Sequence, residues 1–272
     1  MDDTTPGAFA LATAVHPDES TPGRWTGDIP AGWDIAGNTN GGLLLALATR
    51  AIGEATGRPD PVTVTGHFLA PGRPGPAVVD VDVVRPGGRH ATARALMATD
   101  RTILSVMATM TDLSAPTGPT LIDGGPPDLP PPEQCQTQRT GPFGVPPFVG
   151  RVDQRIHPDD VRFDQPGGKS GRAVMRGWFG LRDGEPLDTV ALVLASDAFP
   201  PTIFNTDLPV AWTPTVELTV HVRARPRPGW LRAVFRTRFV SSGYLEADGE
   251  LWDGDDRLVA QSRQLALVPR GS

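Results

Sequence analysis

The first prominent feature of the sequence is a stretch, Leu43–Ile52, whose apolar residues cover nearly every side of a helical pattern. Asn40 precedes it as a good N-cap residue, and Gly57 follows it as a typical stop signal. A helix that is apolar all round is normally surrounded by other structure. The pattern therefore predicts a buried helix in the first half of the chain.

A second apolar stretch, Val190–Phe199, predicts another buried helix but contains one carboxylate, Asp197. The predicted helix covers Asp188–Phe204, with Asp188 as N-cap and Pro200-Pro201 ending or kinking its regular part. A carboxylate in such surroundings is costly unless it is paired, hydrogen-bonded or used. Two interpretations remain open: Asp197 is a functional acid, or it caps a local turn or faces solvent.

Alternating apolar and polar positions predict a series of strands in each half, separated by turns rich in Gly, Pro and Asp. In the first half, the predicted strands follow the helix: Val62–Leu69, Ala77–Val84, Ala91–Thr99 and Ile103–Leu113. In the second half, one strand precedes the helix and four follow it: Ala173–Phe179, Thr215–Arg223, Leu231–Val240, Gly243–Trp252 and Leu258–Leu267. A helix followed by an antiparallel meander thus occurs twice.

The repeated order of elements predicts a duplicated domain. His67 and His221 are each followed eight residues later by a glycine that a proline precedes. Between the two halves lies a stretch rich in proline and glycine, which is typical of a surface linker. We therefore predict an N-terminal unit at residues 8–113, a linker at 114–160 and a C-terminal unit at 161–268.

Composition narrows the classes of function. The chain has 272 residues and a formal net charge of −6 without a basic block, which argues against nucleic acid as a partner. Cys135 is the only cysteine, so no intrachain disulfide can form and a reducing cytoplasm fits. We expect no signal peptide, because Met1-Asp-Asp is acidic and no apolar run follows it, and no apolar run in the sequence is long enough for a membrane span. Leu267–Ser272 matches a thrombin cleavage site, a sequence that expression tags often contain.

Two common kinds of site are not predicted. The sequence has no His-x-x-x-His or Cys-x-x-Cys cluster, so neither a metal nor another cofactor is expected. It also lacks a Gly-x-Ser-x-Gly motif, which argues against a serine α/β-hydrolase.

Several segments resemble the type II (TesB-like) acyl-CoA thioesterases. In the first half these are Gly41-Gly42 at the helix start and the segment from His67 to Gly72. In the second half they are Ala195–Asp197, Thr215 and the segment from Val259 to Gln264. The resemblance covers about residues 20 to 266 and implies an α+β fold of tandem hotdog units. In each unit an antiparallel sheet wraps round a long apolar helix.

The resemblance also implies a catalytic set of Asp197, Thr215 and Gln264, which would hold and activate a water that attacks the thioester carbonyl. A carboxylate can orient a water and accept its proton, and uncharged groups can complete the water's hydrogen bonds. The residues themselves leave alternatives open. Thr213 or Thr219 could replace Thr215, and Gln261 could replace Gln264 on the other strand face.

The expected substrate-binding residues are Gly41, Gly42, His67 and His221. The two glycines would let the backbone approach the ligand closely, and the histidines are expected to have a structural or binding role near the mouth of the site. The first half has no acid near the position that matches Asp197. We therefore expect one active centre per chain, in the second half, with acyl-CoA as its substrate.

Two other functions compete with thioester hydrolysis. A catalytically silent hotdog protein could bind acyl-CoA, and an enoyl-CoA hydratase could use the same fold. A hydratase would need an Asp–His pair, and no histidine lies close to Asp197 in sequence. A homo-oligomer formed through open sheet edges is also compatible with the sequence.

Overall fold

A continuous antiparallel sheet of thirteen strands runs through both halves of the chain. The computed structural model describes residues 6–114, 118–137 and 144–269. The helices are α1 (Ala8–Ala12), α2 (Gly41–Thr56) and α3 (Ala191–Ala195). The strands of the first half are β1 (His16–Pro17), β2 (Arg24–Ile29), β3 (Asp34–Ile35), β4 (Asn38–Thr39), β5 (Asp60–Phe68), β6 (Gly75–Arg85), β7 (Ala91–Ala98) and β8 (Thr102–Thr111). Those of the second half are β9 (Val152–Ile156), β10 (Val174–Leu181), β11 (Thr215–Val222), β12 (Leu231–Arg236), β13 (Val240–Ser241), β14 (Tyr244–Trp252) and β15 (Leu258–Leu267).

The strand order repeats symmetrically about the middle of the sheet. It runs β1-β2-β6-β7-β8-β5 in the first half and continues β11-β15-β14-β12-β10-β9 in the second, while β3 and β4 form a separate pair. Strands β5 and β11 join the halves, and Thr65 lies directly opposite Thr219. Their hydroxyl oxygens are 2.8 Å apart, and their separation in sequence is 154 residues, the same as between His67 and His221. This is the tandem hotdog arrangement that the sequence predicted.

Helix α2 begins and ends where its sequence signals predicted. The Asn40 side chain accepts a hydrogen bond from the backbone N–H of Leu43, and Gly57 adopts a left-handed conformation with φ of 63°. The helix contacts α3 and strands β2, β5, β6, β7 and β8. It is therefore enclosed by both units, as expected for a helix that is apolar on every side.

The prediction of a long second helix is wrong. Helix α3 covers only Ala191–Ala195, and Asp197 lies in the turn that follows it. Pro200 favours the early end, because in a continued helix its ring would clash with the carbonyl of Ser196 and it has no N–H to bond there. A short 3₁₀ helix at Thr202–Asn205 replaces the rest. The predicted burial is confirmed, since all five residues of α3 are buried.

The predicted linker also contains regular structure. Val152–Ile156 forms strand β9, which pairs with β10, and Gln136 bridges to Ile156. Two 3₁₀ helices, Pro132–Gln134 and Pro147–Gly150, occur within the same stretch. The end of the linker range thus extends the C-terminal part of the sheet. This short strand was not predicted, because the stretch around it is rich in proline and glycine.

One predicted strand is interrupted. The stretch Leu231–Val240 divides into β12 and β13, and Thr237 lies between them. Its backbone N–H donates to the carbonyl of Ala173, and its hydroxyl donates to the carbonyl of Glu246. The last strand coincides with its predicted bounds, while residues 270–272 of the thrombin-site match lie outside the described residues.

Candidate active site

The three predicted catalytic side chains form one hydrogen-bonded cluster. The Nε2 group of Gln264 donates to Asp197 Oδ1 at 2.7 Å and to Thr215 Oγ1 at 2.8 Å. Asp197 comes from the turn after α3, while Thr215 and Gln264 come from the paired strands β11 and β15. Because both amide hydrogens of Gln264 are engaged, its carboxamide fixes the acid and the hydroxyl relative to each other.

A β-bulge explains why Thr215 faces this cluster. Strict alternation along β11 would put Thr215 on the face opposite to Val216 and Leu218. The register of β11 against β15 shifts between Thr215 and Glu217, so an extra residue enters the strand there. Bulges commonly re-aim a side chain next to an active site. Here the bulge brings the Thr215 hydroxyl to the same face as Gln264.

The other carboxylate oxygen of Asp197 meets the start of α2, in the first half of the chain. Asp197 Oδ2 accepts a hydrogen bond from the backbone N–H of Gly42 at 2.8 Å. The N-terminus of a helix carries a partial positive charge and unsatisfied N–H groups, which favour a carboxylate. The acid is therefore held between the two halves rather than by the second half alone.

Burial dominates the electrostatics of Asp197. Desolvation raises the pKa of its carboxyl to about 6, against the opposing effect of the hydrogen bonds from Gly42 and Gln264. No arginine, lysine or histidine forms an ion pair with Asp197 within the described residues. An acid with a pKa near neutrality can both accept and return a proton in this pH range.

Gly41 and Gly42 are required by close packing. A Cβ atom on Gly42 would lie 2.9 Å from Asp197 Cβ and 2.9 Å from the carbonyl oxygen of Leu194. A Cβ atom on Gly41 would lie 2.9 Å from the Phe68 ring and 3.0 Å from Asp197 Oδ2. The structure thus shows that these glycines admit the Asp197 turn and Phe68, a protein contact that the sequence interpretation did not foresee.

The cluster opens onto a cavity of about 420 Å³ with a largely apolar wall. Its lining comes from both halves and includes Gly41, Phe68, Phe148, Phe235 and Leu267 besides the three residues of the cluster. Trp212, Phe199 and Phe204 line it as well, whereas Trp178 donates its indole N–H to the carbonyl of Pro130 elsewhere. Asp197 is the only charged residue in the lining of this cavity, within the described part of the chain.

The two histidines lie away from the cavity. His67 and His221 are both exposed, and neither belongs to the cavity lining. They occupy the outer face of the sheet, where His67 lies opposite Glu217 and His221 lies opposite Thr63 and Gln261. The structure therefore does not bring them to the predicted binding site. Inward positions on the same strands are buried, which is why alternation puts the histidines outside.

The alternatives to Thr215 and Gln264 lie apart from the cluster. Gln261 is exposed on the outer face. Thr219 bonds to Thr65 and Glu217, and the Thr213 hydroxyl donates to the carbonyl of Ala211 at 3.0 Å, although Thr213 lines the cavity. Of these candidates, Thr215 and Gln264 are the pair that bonds around Asp197.

Two amide side chains beside the cluster were not identified as site residues from the sequence. Asn40 donates from Nδ2 to the backbone oxygen of Asp197 at 2.9 Å, and Gln154 donates from Nε2 to the carbonyl of Ala198. Both are buried and line the cavity. Asn40 was recognised only as a helix cap, and Gln154 belongs to the range predicted as linker. The sequence contained no signal for their contact with the acid's turn.

Comparison with known families identifies the chain. Residues 29–111 match the model of the acyl-CoA thioesterase N-terminal domain, and residues 126–268 match that of the C-terminal domain. The chain belongs to the acyl-CoA thioesterase family. Its tandem units correspond to these two domains in the same order.

Individual proteins similar to this acyl-CoA thioesterase family member cover nearly its whole length. A candidate thioesterase II from Thermobifida fusca is 32% identical, with a TM-score of 0.85 over 97% of this chain and 98% of that chain. A hotdog-fold protein of unknown function from Alicyclobacillus acidocaldarius is 23% identical, with a TM-score of 0.83 over 98% and 100% of the respective chains. An uncharacterized protein of Mycobacterium tuberculosis is 28% identical over 96% of this chain and 98% of its own length.

Two other kinds of site have no candidate in the part of the chain that the structure describes. No helix among residues 6–114, 118–137 and 144–269 is long and apolar enough to cross a membrane. In the same ranges, no group of three or more His, Cys, Asp or Glu residues is arranged to hold a metal ion.

Proposed function

We propose that this protein hydrolyses a fatty acyl-CoA thioester to a free acid and CoA, with a water activated by Asp197, Thr215 and Gln264. The observation that carries the proposal is the cluster itself. A half-buried carboxylate without a cationic partner among the described residues is bonded through Gln264 to a hydroxyl, and all three side chains line an apolar cavity. Membership of the acyl-CoA thioesterase family supports the substrate class.

The hydrogen bonds of the cluster prescribe how it would hold water. Both Nε2 hydrogens of Gln264 are used, which leaves its Oε1 as an acceptor. Thr215 Oγ1 accepts from Gln264, so its own O–H is free to donate. A water between the two oxygens that Gln264 holds could then accept from the Thr215 O–H and donate one hydrogen to Asp197. Its remaining lone pair would face the thioester carbonyl.

The chemical steps follow from this arrangement. The water oxygen bonds to the carbonyl carbon while Asp197 accepts the released proton. The tetrahedral intermediate then collapses, the C–S bond breaks and the CoA thiolate takes the proton back from Asp197. The positive end of α2 lies beside the reacting centre and favours the negative charge that develops there. Each turnover restores the ionised acid.

The character of the cavity wall supports one orientation of the substrate. Its apolar wall suits the acyl chain, and no cationic side chain lines it among the described residues. The charged phosphates of CoA would therefore remain outside the cavity. We further propose a cytoplasmic location, because the lone Cys135 is buried and burial raises the pKa of its thiol, as suits an unreactive cysteine.

The test is to incubate the wild-type protein with acyl-CoA esters from short to long chains and to measure released thiol, with product identification by mass spectrometry. Equal amounts of free acid and CoA would support the proposal. Saturable binding without thiol release would instead identify a silent acyl-CoA-binding protein. Conversion of an enoyl-CoA to a hydroxyacyl-CoA, without thiol release, would identify a hydratase.

A further inference from the structure

We propose that Asn40 is a positioning residue for the hydrolytic centre, which holds the Asp197 turn in register with the start of α2. This inference rests on the proposed hydrolytic function and adds a residue from the first half of the chain to the machinery. An N-cap alone needs only a side-chain acceptor for the first turn of the helix. Asn40 has that acceptor and, in addition, a donor group directed at the acid.

The carboxamide of Asn40 has a determined orientation. Its Oδ1 accepts from the backbone N–H of Leu43 at 3.0 Å, which is the capping bond. Its Nδ2 therefore points the other way and donates to the backbone oxygen of Asp197 at 2.9 Å. The same Nδ2 lies 3.4 Å from Asp197 Oδ2. One side chain thus connects the helix start to both the backbone and the carboxylate of the acid.

Burial makes this connection rigid. Asn40 is 4% exposed, and its backbone N–H donates to the carbonyl of Trp33. At the next residue of the turn, Gln154 donates to the carbonyl of Ala198. The two amides thus hold the consecutive carbonyl groups of Asp197 and Ala198. Loss of the Asn40 donor would release the backbone oxygen of Asp197. Asp197 Oδ2 would then lose its fixed distance from the Gly42 N–H.

The groups that face Asp197 are uncharged. From α2 it meets Asn40 and the Gly42 N–H, from β15 Gln264, and Gln154 of β9 holds the adjoining carbonyl. Charged residues of the neighbouring strands lie on the outer face of the sheet, where Glu217 lies opposite His67 and Arg263 bonds to Asp248. A charge placed at position 40 would consequently act on Asp197 without compensation.

Two substitutions separate positioning from capping, because aspartate and serine are N-caps about as good as asparagine. Asn40→Ser keeps a cap but is too short to reach Asp197. We expect its kcat to fall about 10-fold to 100-fold with little change in thermal stability, since small misplacements of a reacting group have effects of this size. Asn40→Asp keeps the size of the side chain but replaces the donor with a negative charge.

In the Asn40→Asp variant, the acid limb of kcat/KM should move to higher pH by about one unit or more, because a like charge disfavours ionisation of Asp197. The Asp197 carboxyl, followed by ¹³C NMR without substrate, should show the same upward shift. If both variants fold and retain the wild-type kcat, pH profile and carboxyl titration, Asn40 only caps the helix and the proposal is overturned.

The NMR titration also separates this proposal from the proposed function. Absence of thiol release by the wild-type protein would defeat thioester hydrolysis, whereas the effect of position 40 on the Asp197 carboxyl would still be measurable. An unchanged titration in Asn40→Asp would overturn the positioning role even if the wild-type protein were an active thioesterase.

Discussion

The α2–α3 helix pair has a carboxylate at each of its two ends, but only one of these carboxylates has a cationic partner. At the end formed by the start of α2, Asp197 bonds to Gly42 and Gln264 and has no cationic partner among the described residues. At the other end, Asp188 caps the start of α3 through the Ala191 N–H and pairs with Arg50 at 2.7 Å. Asp188 thus connects α3 to Arg50 of α2 and has a structural role.

A second acid near that far end shows the same contrast. Asp60 is almost fully buried, pairs with Arg225 at 2.8 Å and accepts a hydrogen bond from Thr189. The cleft there is smaller, about 250 Å³, against about 420 Å³ at the end that contains Asp197. At one end of the duplicated fold the acids are therefore paired with arginines. At the other end, an acid without a cationic partner lies beside the larger cavity. The difference lies in the partners of the acids rather than in the fold.

The largest expected effect comes from removing the unpaired acid. Asp197→Asn should lower kcat for acyl-CoA hydrolysis at least about 100-fold, the usual size of one lost catalytic contact. The matched control is Asp188→Asn at the other end, where asparagine can still cap α3 and kcat should be retained. Thiol release by both variants checks this contrast. Full activity in Asp197→Asn would move the catalytic centre elsewhere.

The next effect concerns the residue that links the acid to Thr215. Gln264→Leu removes both donors of the cluster, so kcat should fall about 10-fold to 100-fold through misplacement of Asp197 and Thr215. Gln261→Leu changes the same residue type on the exposed face of the same strand and should leave kcat unchanged. Steady-state kinetics of the two variants measure this difference in kcat. Equal losses would show that strand stability, not the cluster, limits turnover.

At the ion-paired end, loss of the Arg225 side chain should lower the stability of the protein without lowering kcat. Arg225→Met leaves Asp60 buried without its ion-pair partner and should lower the free energy of unfolding by about 3 kcal/mol. Arg24→Met breaks an exposed pair with Asp80 and should lower the free energy of unfolding much less. Denaturant unfolding measures both. A loss of kcat in folded Arg225→Met would contradict the division of roles between the ends.

The smallest expected effect is a gain in stability when the unpaired acid is neutralised. The pKa of Asp197 is raised from 3.8 to about 6, so the folded state binds the proton more tightly than the unfolded state does. The free energy of unfolding therefore falls as pH rises between these values and stays lower above about pH 6. Asp197→Asn should thus gain about 1–3 kcal/mol at pH 7, and little below the ordinary aspartate pKa.

Denaturant unfolding of Asp197→Asn and the wild-type protein at pH 4 and pH 7 measures this gain. The carboxyl opens onto the cavity, so it is not fully removed from water. We therefore expect a gain in the lower part of this range of free energies. Equal stabilities at pH 7 would show that the acid is solvated and carries no strain of desolvation.

Much of the fold follows from the sequence because period and stop signals reinforce each other there. Asn40 and Gly57 bound α2 as predicted, and β15 has its predicted bounds. The length of α3 could not be obtained from apolar character alone, since a buried helix and a buried turn before Pro200 have the same composition. Strand β9 escaped prediction because it is short and lies in a stretch rich in proline and glycine.

The site illustrates what alternation and resemblance each can provide. Alternation separates Gln264 from Gln261, but it cannot say which of them faces the acid. Alternation also misplaces Thr215, because the bulge in β11 depends on pairing with β15. Contacts between the halves, such as Gly42 with Asp197, depend on how the duplicated units pack. No local pattern encodes those contacts, and the roles of the three catalytic residues remain predictions.

The most direct measurement of the central claim is the pH dependence of kcat/KM for acyl-CoA hydrolysis, compared with titration of the Asp197 carboxyl by ¹³C NMR. If the unpaired acid is the base, it must be ionised, so kcat/KM should fall tenfold per pH unit below about pH 6. The carboxyl should titrate at the same pH. A carboxyl that titrates near 3.8, or a rate that stays constant through pH 6, would contradict the account.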